Sequence, residues 1–350
     1  HPVAHSFPTR RSSDLDAAKI SVDNFSRETV VLTTGADART TGSANDLFIA
    51  GESNGNKTLT SGDNLDGGGG IDTLRVSSDA LATTYAGFFT ENIEILEAIS
   101  EGLQTYDLSG AKGLTTLKSI NSSAGVVFNE VTGLVDLEVV NLTNTNNTSD
   151  VTVQYQANAV AGSADEMTVR LNDSDAENIV IGSTDVFNAG VETIHLVAEG
   201  ADSTINTLNT NLTDLTFSGD QNVVITNVLN ATVRTIDASG ATGGLTVATS
   251  TANALTFTGG AGDDQVTFAS GTLNGSDSVA GGGGTDRLVA DQADLIAASA
   301  RISGMEYIQV QDTLVNNAPG AANVLDAADF SDATRIELSL GYNNARIDNL

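Results

Sequence analysis

The sequence predicts an all-β chain, a parallel β-helix or β-solenoid with short β-roll-like segments, on three observations. Short stretches of alternating apolar residues recur at a nearly constant step. Ile194 of VETIHL, Leu215 of NLTDLTF, Ile236 of TVRTIDA and Leu255 of NALTFTG stand 21, 21 and 19 residues apart, and GLTTL (113–117) precedes GLVDL (133–137) by 20. A six-residue glycine turn followed by a three-residue strand recurs in nonapeptides of one pattern. Gly, Thr, Ser, Asn, Asp and Val dominate while only 3 Pro occur, the composition of short strands joined by tight turns. A step near 20 with alternation places each strand one storey above the last, and no coil buries its apolar face until a neighbour stacks on it. An antiparallel sandwich is the alternative, but hairpin signals such as Asn-Gly between strands are sparse and the step is too even. About 17 coils at ~4.8 Å would form a rod on the order of 80 Å long.

Taken from the N-terminus, residues 1–15, HPVAHSFPTRRSSDL, stand apart from everything after them. They hold two of the 3 His, two of the 3 Pro and an Arg-Arg pair, and resemble a translated sequencing-adapter read-through at the end of a metagenomic gene fragment. The apolar core of about 7–15 residues that a secretory signal needs is missing, so they are read as a non-native leader. Three segments then fit the nonapeptide GGxGxDxUx, in which U is a large apolar residue: GGGGIDTLR (67–75), GGAGDDQVT (259–267) and GGGGTDRLV (281–289). A degenerate copy, TGSANDLFI (41–49), keeps Asp46 and Phe48. Aspartates stand nine apart in Asp37/Asp46, Asp63/Asp72 and Asp277/Asp286. A slower repeat encloses them: Asp46 maps onto Asp264 (218 on), Asp72 onto Asp286 (214) and Glu91 of ENIEI onto Glu306 of EYIQV (215). The chain is therefore divided into a first module over 16–258, with its glycine turns at 35–76, and a second, truncated module over 259–350, with its turns at 259–290. DQADLIAASARI (291–302) is the best helical pattern, one short helix or an irregular excursion.

Charge narrows the function. The formal net charge is −30; setting aside Arg10, Arg11 and Asp14 of the leader, two positive and one negative, makes it −31. Such a chain repels nucleic acid and anionic membranes, and its compact state gains from cations that screen it. Hydrophobic residues still make up 40%, so this is no disordered acidic tail. No apolar run approaches the roughly 20 residues of a membrane span. With 0 Cys, disulfides and thiolate metal sites are excluded.

Glycine lets the backbone take positive φ and turn its carbonyls inward. The aspartate adds a carboxylate, and the equivalent turn one coil away adds a second set. Hard oxygen donors without His or Cys suit Ca²⁺ at six to eight ligands. The U residues Leu74, Val266 and Leu288 point into the core, so ion binding and strand packing support each other.

These nonapeptides resemble the RTX calcium-binding repeats of exported Gram-negative bacterial proteins. The resemblance implies ligating aspartates at Asp72, Asp264 and Asp286, with Asp46 as the degenerate equivalent, and carbonyl ligands from Gly67, Gly69, Gly259, Ala261, Gly281 and Gly283. Asp63 and Asp277, nine before full repeats, would be their partners from half-coils with fewer glycines. The order LTTGADARTTGSANDLFIA, TLTSGDNLDGGGGIDTL, ENIEIL, DLSGAKGLTTL is similar to that of large bacterial surface-layer and adhesin-like proteins of the Caulobacter S-layer type. That likeness implies a calcium-bound extracellular protein on the bacterial cell surface, exported by type I secretion, whose partners are Ca²⁺ and either its own copies or cell-surface polysaccharide. The alternative is the non-catalytic RTX region of a secreted enzyme or toxin.

An enzymatic β-helix that degrades polysaccharide is less well supported. After the leader, His195 is the sole histidine, facing opposite to Ile194 and Leu196. No carboxylate pair stands out for glycoside hydrolysis. Arg75 and Arg287 follow repeat aspartates on a solvated strand face. Glu91, Glu192 and Glu306 recur by repeat symmetry, which favours a structural role. The sequence is read as a structural protein and not an enzyme.

Overall fold

Each strand of this chain is too short to bury anything by itself. Thr73–Ser77 and Asp136–Val140 alternate half-buried and buried residues, so each presents two apolar side chains to one side only. Stacking solves this. A computed structural model describes residues 26–53, 55–143, 150–183, 190–209, 211–311, 325–338 and 347–348. The leader and parts of the second module (312–324, 339–346 and 349–350) lie outside the described residues.

The chain winds into an all-β parallel solenoid of about 12 turns. One sheet runs through thirteen parallel strands from Thr29–Val31 to Ile302–Ser303, and a second through twelve from Thr83–Tyr85 to Arg335–Leu338. Consecutive strands along the chain alternate between the two sheets over most of its length. Near the N-terminal end a third sheet of Ala38–Thr40, Asn64–Asp66 and Phe89–Glu91 makes the coils three-sided. The Thr90–Ala111 bridge ends that side.

Register follows the apolar pattern closely. Phe48, Leu74, Leu96, Leu117, Leu137, Val169, Leu196 and Phe217 pair in one unbroken column of the first sheet. All are buried, and each contributes on the order of 1.5–3 kcal/mol by leaving water. On the second sheet Tyr85, Tyr106 and Phe128 stack with ring centroids 4.9 and 5.7 Å apart. The U residues Leu74, Val266 and Leu288 are in this core as expected. Outward-facing positions of the first sheet carry a column of alternating charge, Arg75, Glu97, Lys118, Glu138 and Arg170. It includes Arg75–Glu97 at 2.7 Å and Lys118–Glu138 at 2.5 Å.

Four expectations are corrected. Ile236 pairs with Phe257 rather than Leu255, so the step of 21 continues without the drop to 19. The number of coils is about 12 rather than 17, which at ~4.8 Å per strand gives a rod of about 60 Å. The coils are uneven: Phe48 stacks on Leu74, Leu137 on Val169 and Met167 on Ile194, 26, 32 and 27 residues on. The counterpart of Glu306 is Glu94, not Glu91, for reasons given below. The excursion at 291–302 is a helix, Gln292–Ala298, followed by a 3₁₀ turn, Ser299–Arg301. No helix among the described residues is long and apolar enough to cross a membrane.

Candidate functional site

The six aspartates expected as ligands, Asp46, Asp63, Asp72, Asp264, Asp277 and Asp286, all stand immediately before a strand, at a corner of the solenoid. Asp46 and Asp72 precede the first-sheet strands Leu47–Ser53 and Thr73–Ser77, and Asp63 precedes Asn64–Asp66 of the third sheet. Asp264 and Asp286 precede the second-sheet strands Gln265–Phe268 and Arg287–Ala290, while Asp277 leads into Ser278–Ala280 of the first. The two blocks of glycine turns therefore sit on different corners: Gly259–Asp264 and Gly281–Asp286 stack directly, whereas Gly67–Asp72 stacks on the degenerate copy at Asp46.

All six carboxylates are at most 1% exposed. Each reaches back to the preceding coil and accepts a backbone N–H. Asp63 Oδ1 takes the amide of Asp37, Asp72 Oδ1 that of Asp46, and Asp286 Oδ1 that of Asp264, at 2.7, 2.6 and 2.8 Å. Asp46 Oδ1, Asp264 Oδ1 and Asp277 Oδ1 take Glu28, Leu245 and Leu255 at 2.6, 2.7 and 2.7 Å. A glutamate closes two of these columns: Glu94 accepts from Asp72 N–H, and Glu306 from Asp286 N–H, both at 2.8 Å. Asp46–Asp72–Glu94 and Asp264–Asp286–Glu306 are thus the same three-rung ladder built twice. Glu192 does the same for Asp165 at 3.0 Å, so Glu94, Glu192 and Glu306 each hold the amide of an aspartate one coil away. Reading by residue identity missed Glu94; its signal is its place just before a strand, one coil after Asp72.

The second carboxylate oxygen separates the six. In Asp46, Asp63, Asp264 and Asp277 it is taken by the amides of Gly42, Thr60, Gly260 and Asn274 at 3.2, 2.7, 2.7 and 2.7 Å. In Asp72 and Asp286 the Oδ2 atom is buried with no hydrogen-bond donor. The four-glycine runs are the cause. Gly68 and Gly282 lie at φ +78° and +97°, in the left-handed region that only glycine enters freely. The Gly68 amide turns to Asp66 Oδ1 at 2.9 Å instead of to Asp72. Gly260, outside the left-handed region, keeps its amide on Asp264.

Close approach explains the first glycine of each run. A Cβ at Gly67 would sit 2.0 Å from Asn92 O and 2.5 Å from Asp72 Oδ2, and one at Gly281 would sit 1.8 Å from Gly304 O and 2.5 Å from Asp286 Oδ2. One hydrogen-sized space thus faces a bare carboxylate oxygen and a carbonyl oxygen of the next coil. Of the other residues expected to offer carbonyls, Gly67 O accepts Thr41 Oγ1 at 2.8 Å. A Cβ at Gly259 would meet Gly281 O at 1.7 Å. Gly69, Ala261 and Gly283 use their amides to hold the preceding coil through Gly42 O, Ala241 O and Gly260 O, at 2.8, 2.9 and 2.8 Å.

Burial, then the charges of Asp46, Glu94 and Asp66, pushes the Asp72 carboxyl up to about 6 against the lowering effect of the Asp46 amide. Burial likewise pushes Asp286 up to about 6, with Asp264, Glu306 and Asp263 adding to it against the Asp264 amide. These two carboxylates are held ionised at neutral pH at a cost that a bound cation or a proton would relieve. The donor set is one carboxylate oxygen with backbone carbonyls nearby. No group of three or more His, Asp or Glu side chains among the described residues is placed to hold a metal. Hard oxygen donors of this kind suit Ca²⁺ rather than a thiolate- or imidazole-seeking metal, and the carboxylate oxygens left without a donor among the six are Asp72 Oδ2 and Asp286 Oδ2.

His195 lies elsewhere, on the outer face of the first sheet, with Nδ1 2.8 Å from Thr216 Oγ1 and Nε2 3.1 Å from Glu166 Oε2. Its neighbours Ile194 and Leu196 are fully buried, so the alternation expected at this strand holds. Arg75 and Arg287 lie on strand faces, Arg75 bound to Glu97 through Nε and Nη2 at 2.7 and 3.2 Å. Arg287 binds Gln309 and Glu337. No protein-family model matches this chain, and no curated protein matches it.

Proposed function

We propose that this chain is a non-enzymatic, calcium-stabilised β-solenoid of an exported bacterial surface layer or adhesin. The observation that supports it is the pair of equivalent corners where four glycines leave a buried carboxylate oxygen, Asp72 Oδ2 or Asp286 Oδ2, with no donor. A bound Ca²⁺ would supply two positive charges to a corner crowded with acceptors. Asp72 and Asp286 hold it directly, while Glu94 and Glu306 fix those aspartates by their backbone amides. The remaining four aspartates act as hydrogen-bond acceptors that tie one coil to the next. Binding free energy of this kind adds to folding free energy, and a net charge of −30 makes the folded chain the more dependent on it. The partners this reading expects are further copies of the chain or a cell-surface polysaccharide.

Thermal melting of the chain at increasing Ca²⁺, with Mg²⁺ and excess EDTA as controls, tests this reading. The expected result is a rise in melting temperature with a midpoint on the order of 10⁻⁴–10⁻³ M Ca²⁺, the range of extracellular modules, and loss of that rise in the Asp72→Asn/Asp286→Asn variant. Identical melting in Ca²⁺ and EDTA would overturn it.

A further inference from the structure

We propose that the hairpin formed by Leu47–Ser53 and Asn56–Lys57 is an edge guard, which covers the outermost strand of the second sheet and keeps a second copy of this chain from pairing with it. Among the described strands that outermost one, Thr83–Tyr85, is bonded along one edge only, to Gln104–Asp107. Its other edge offers main-chain groups of a β-prone Thr-Thr-Tyr sequence, and a bare edge of this kind is a template for another chain.

The hairpin departs from the solenoid path to reach that edge. Leu47–Ser53 runs on for seven residues, turns through Gly55 at φ +75°, and returns with Lys57 opposite Glu52. This is the one antiparallel pairing among the described strands, the rest being parallel. Thr58 locks its base, donating its amide to Gly51 O at 2.9 Å and accepting the Gly51 amide on Oγ1 at 2.8 Å.

Side chains, not main chain, then cover the edge. Lys57 Nζ donates to Thr84 O at 2.5 Å, so a charged group occupies a carbonyl that a neighbouring strand would use. Glu52 accepts from Thr83 Oγ1 at 2.7 Å and from Tyr85 OH at 3.0 Å. The Lys57 ammonium also lies 5.4 Å from the centre of the Tyr85 ring. A lysine and a glutamate turned onto an edge cannot extend the sheet, and they carry their charge to any chain that tries. Behind them Tyr85 is fully buried and starts the Tyr85–Tyr106–Phe128 stack. A second copy is the fitting occupant once the guard is gone, because two identical edges related by a two-fold axis satisfy each other equally.

The test is the full chain carrying Glu52→Gln and Lys57→Met, which keeps side-chain size and removes both charges, beside Lys57→Arg. Sedimentation velocity over a concentration series, with far-ultraviolet circular dichroism, reads the result. The guard predicts that the double variant keeps its β signal and gains a larger species that grows with concentration, relative to the parent and Lys57→Arg. A folded double variant that sediments like the parent at every concentration overturns the proposal. Should the double variant lose its β signal, hydrogen exchange of the parent decides: amides of Thr83–Tyr85 and of residues 51–58 opening together support the guard, and edge amides protected independently of the hairpin overturn it.

Discussion

Asp286→Asn is expected to stabilise the chelated protein, although it alters a fully buried residue. The folded environment raises this carboxyl from 3.8 to about 6, and at 1.36 kcal/mol per pKa unit the ionised form at pH 7 costs at most about 3 kcal/mol. Asparagine removes that cost. Its carbonyl still accepts the Asp264 amide, now without charge assistance, a loss of about 1 kcal/mol. Its NH₂ takes the place of the donor-free Oδ2, beside Gly304 O. The net gain is about 1–2 kcal/mol, or roughly 1–3 °C in melting temperature for a chain of 350 residues. Asp264→Asn, one coil away, is the control. Burial also raises that carboxyl, but both its oxygens accept amides, from Leu245 and Gly260 at 2.7 Å each. An NH₂ group must face one of those donors, which costs about 1–3 kcal/mol. Calorimetry of both variants at pH 7 in excess EDTA gives the comparison. Equal destabilisation by the two substitutions would refute the assignment of the bare oxygen. In Ca²⁺ the order should reverse, with the parent gaining stability that Asp286→Asn does not.

Because Asp72 and Asp286 titrate at about 6 in the fold against 3.8 for the unfolded reference, the folded chain binds more protons between those values. Their contribution to stability is therefore fully present below about pH 4, is lost as pH rises through 6 and is flat above. Urea midpoints of the parent minus those of Asp72→Asn/Asp286→Asn, from pH 4.5 to 7.5 in EDTA, should show that fall, and Ca²⁺ should abolish it. Gly281→Ala should cost about 3 kcal/mol or more, since its Cβ meets Gly304 O at 1.8 Å. Gly182→Ala, with nothing within 4 Å of its Cβ, should change the same denaturation midpoint little or raise it slightly. Phe257→Ala should destabilise by about 3–5 kcal/mol, as expected for a fully buried ring in the Ile236 register. Arg75→Ala should cost about 1–2 kcal/mol by stranding Glu97, whose side chain is only 11% exposed.

The sequence by itself determined the solenoid, because what it needs is written locally. Ile194, Leu215 and Ile236 lie 21 apart and pair one above the next, and Leu117 pairs with Leu137 as the GLTTL and GLVDL repeats require. Alternation says which face is buried, and a steady step says that the faces stack. Where the step is broken, between Leu137 and Val169, counting residues overestimates the coils, since an excursion uses residues without adding a storey.

The candidate site was legible only as far as residue type and spacing. Six aspartates before six strands could be named, four from the nonapeptide and its degenerate copy and two, Asp63 and Asp277, from the nine-residue spacing. All six take an amide from the coil that lies against them on Oδ1, and which of them keeps Oδ2 free depends on whether an amide three or four residues earlier in its own turn reaches it, as those of Gly42, Thr60, Gly260 and Asn274 do. It depends too on the sign of φ at one glycine, which differs between Gly68 and Gly260 although both are second in their turns. Glu94 and Glu306 were likewise paired by the ladder, because a carboxylate's role here is set by the amide it reaches across the coil, not by its sequence neighbours. Periodicity is a property of the chain; the partner of a buried oxygen is a property of the stack, and only the tertiary structure decides it.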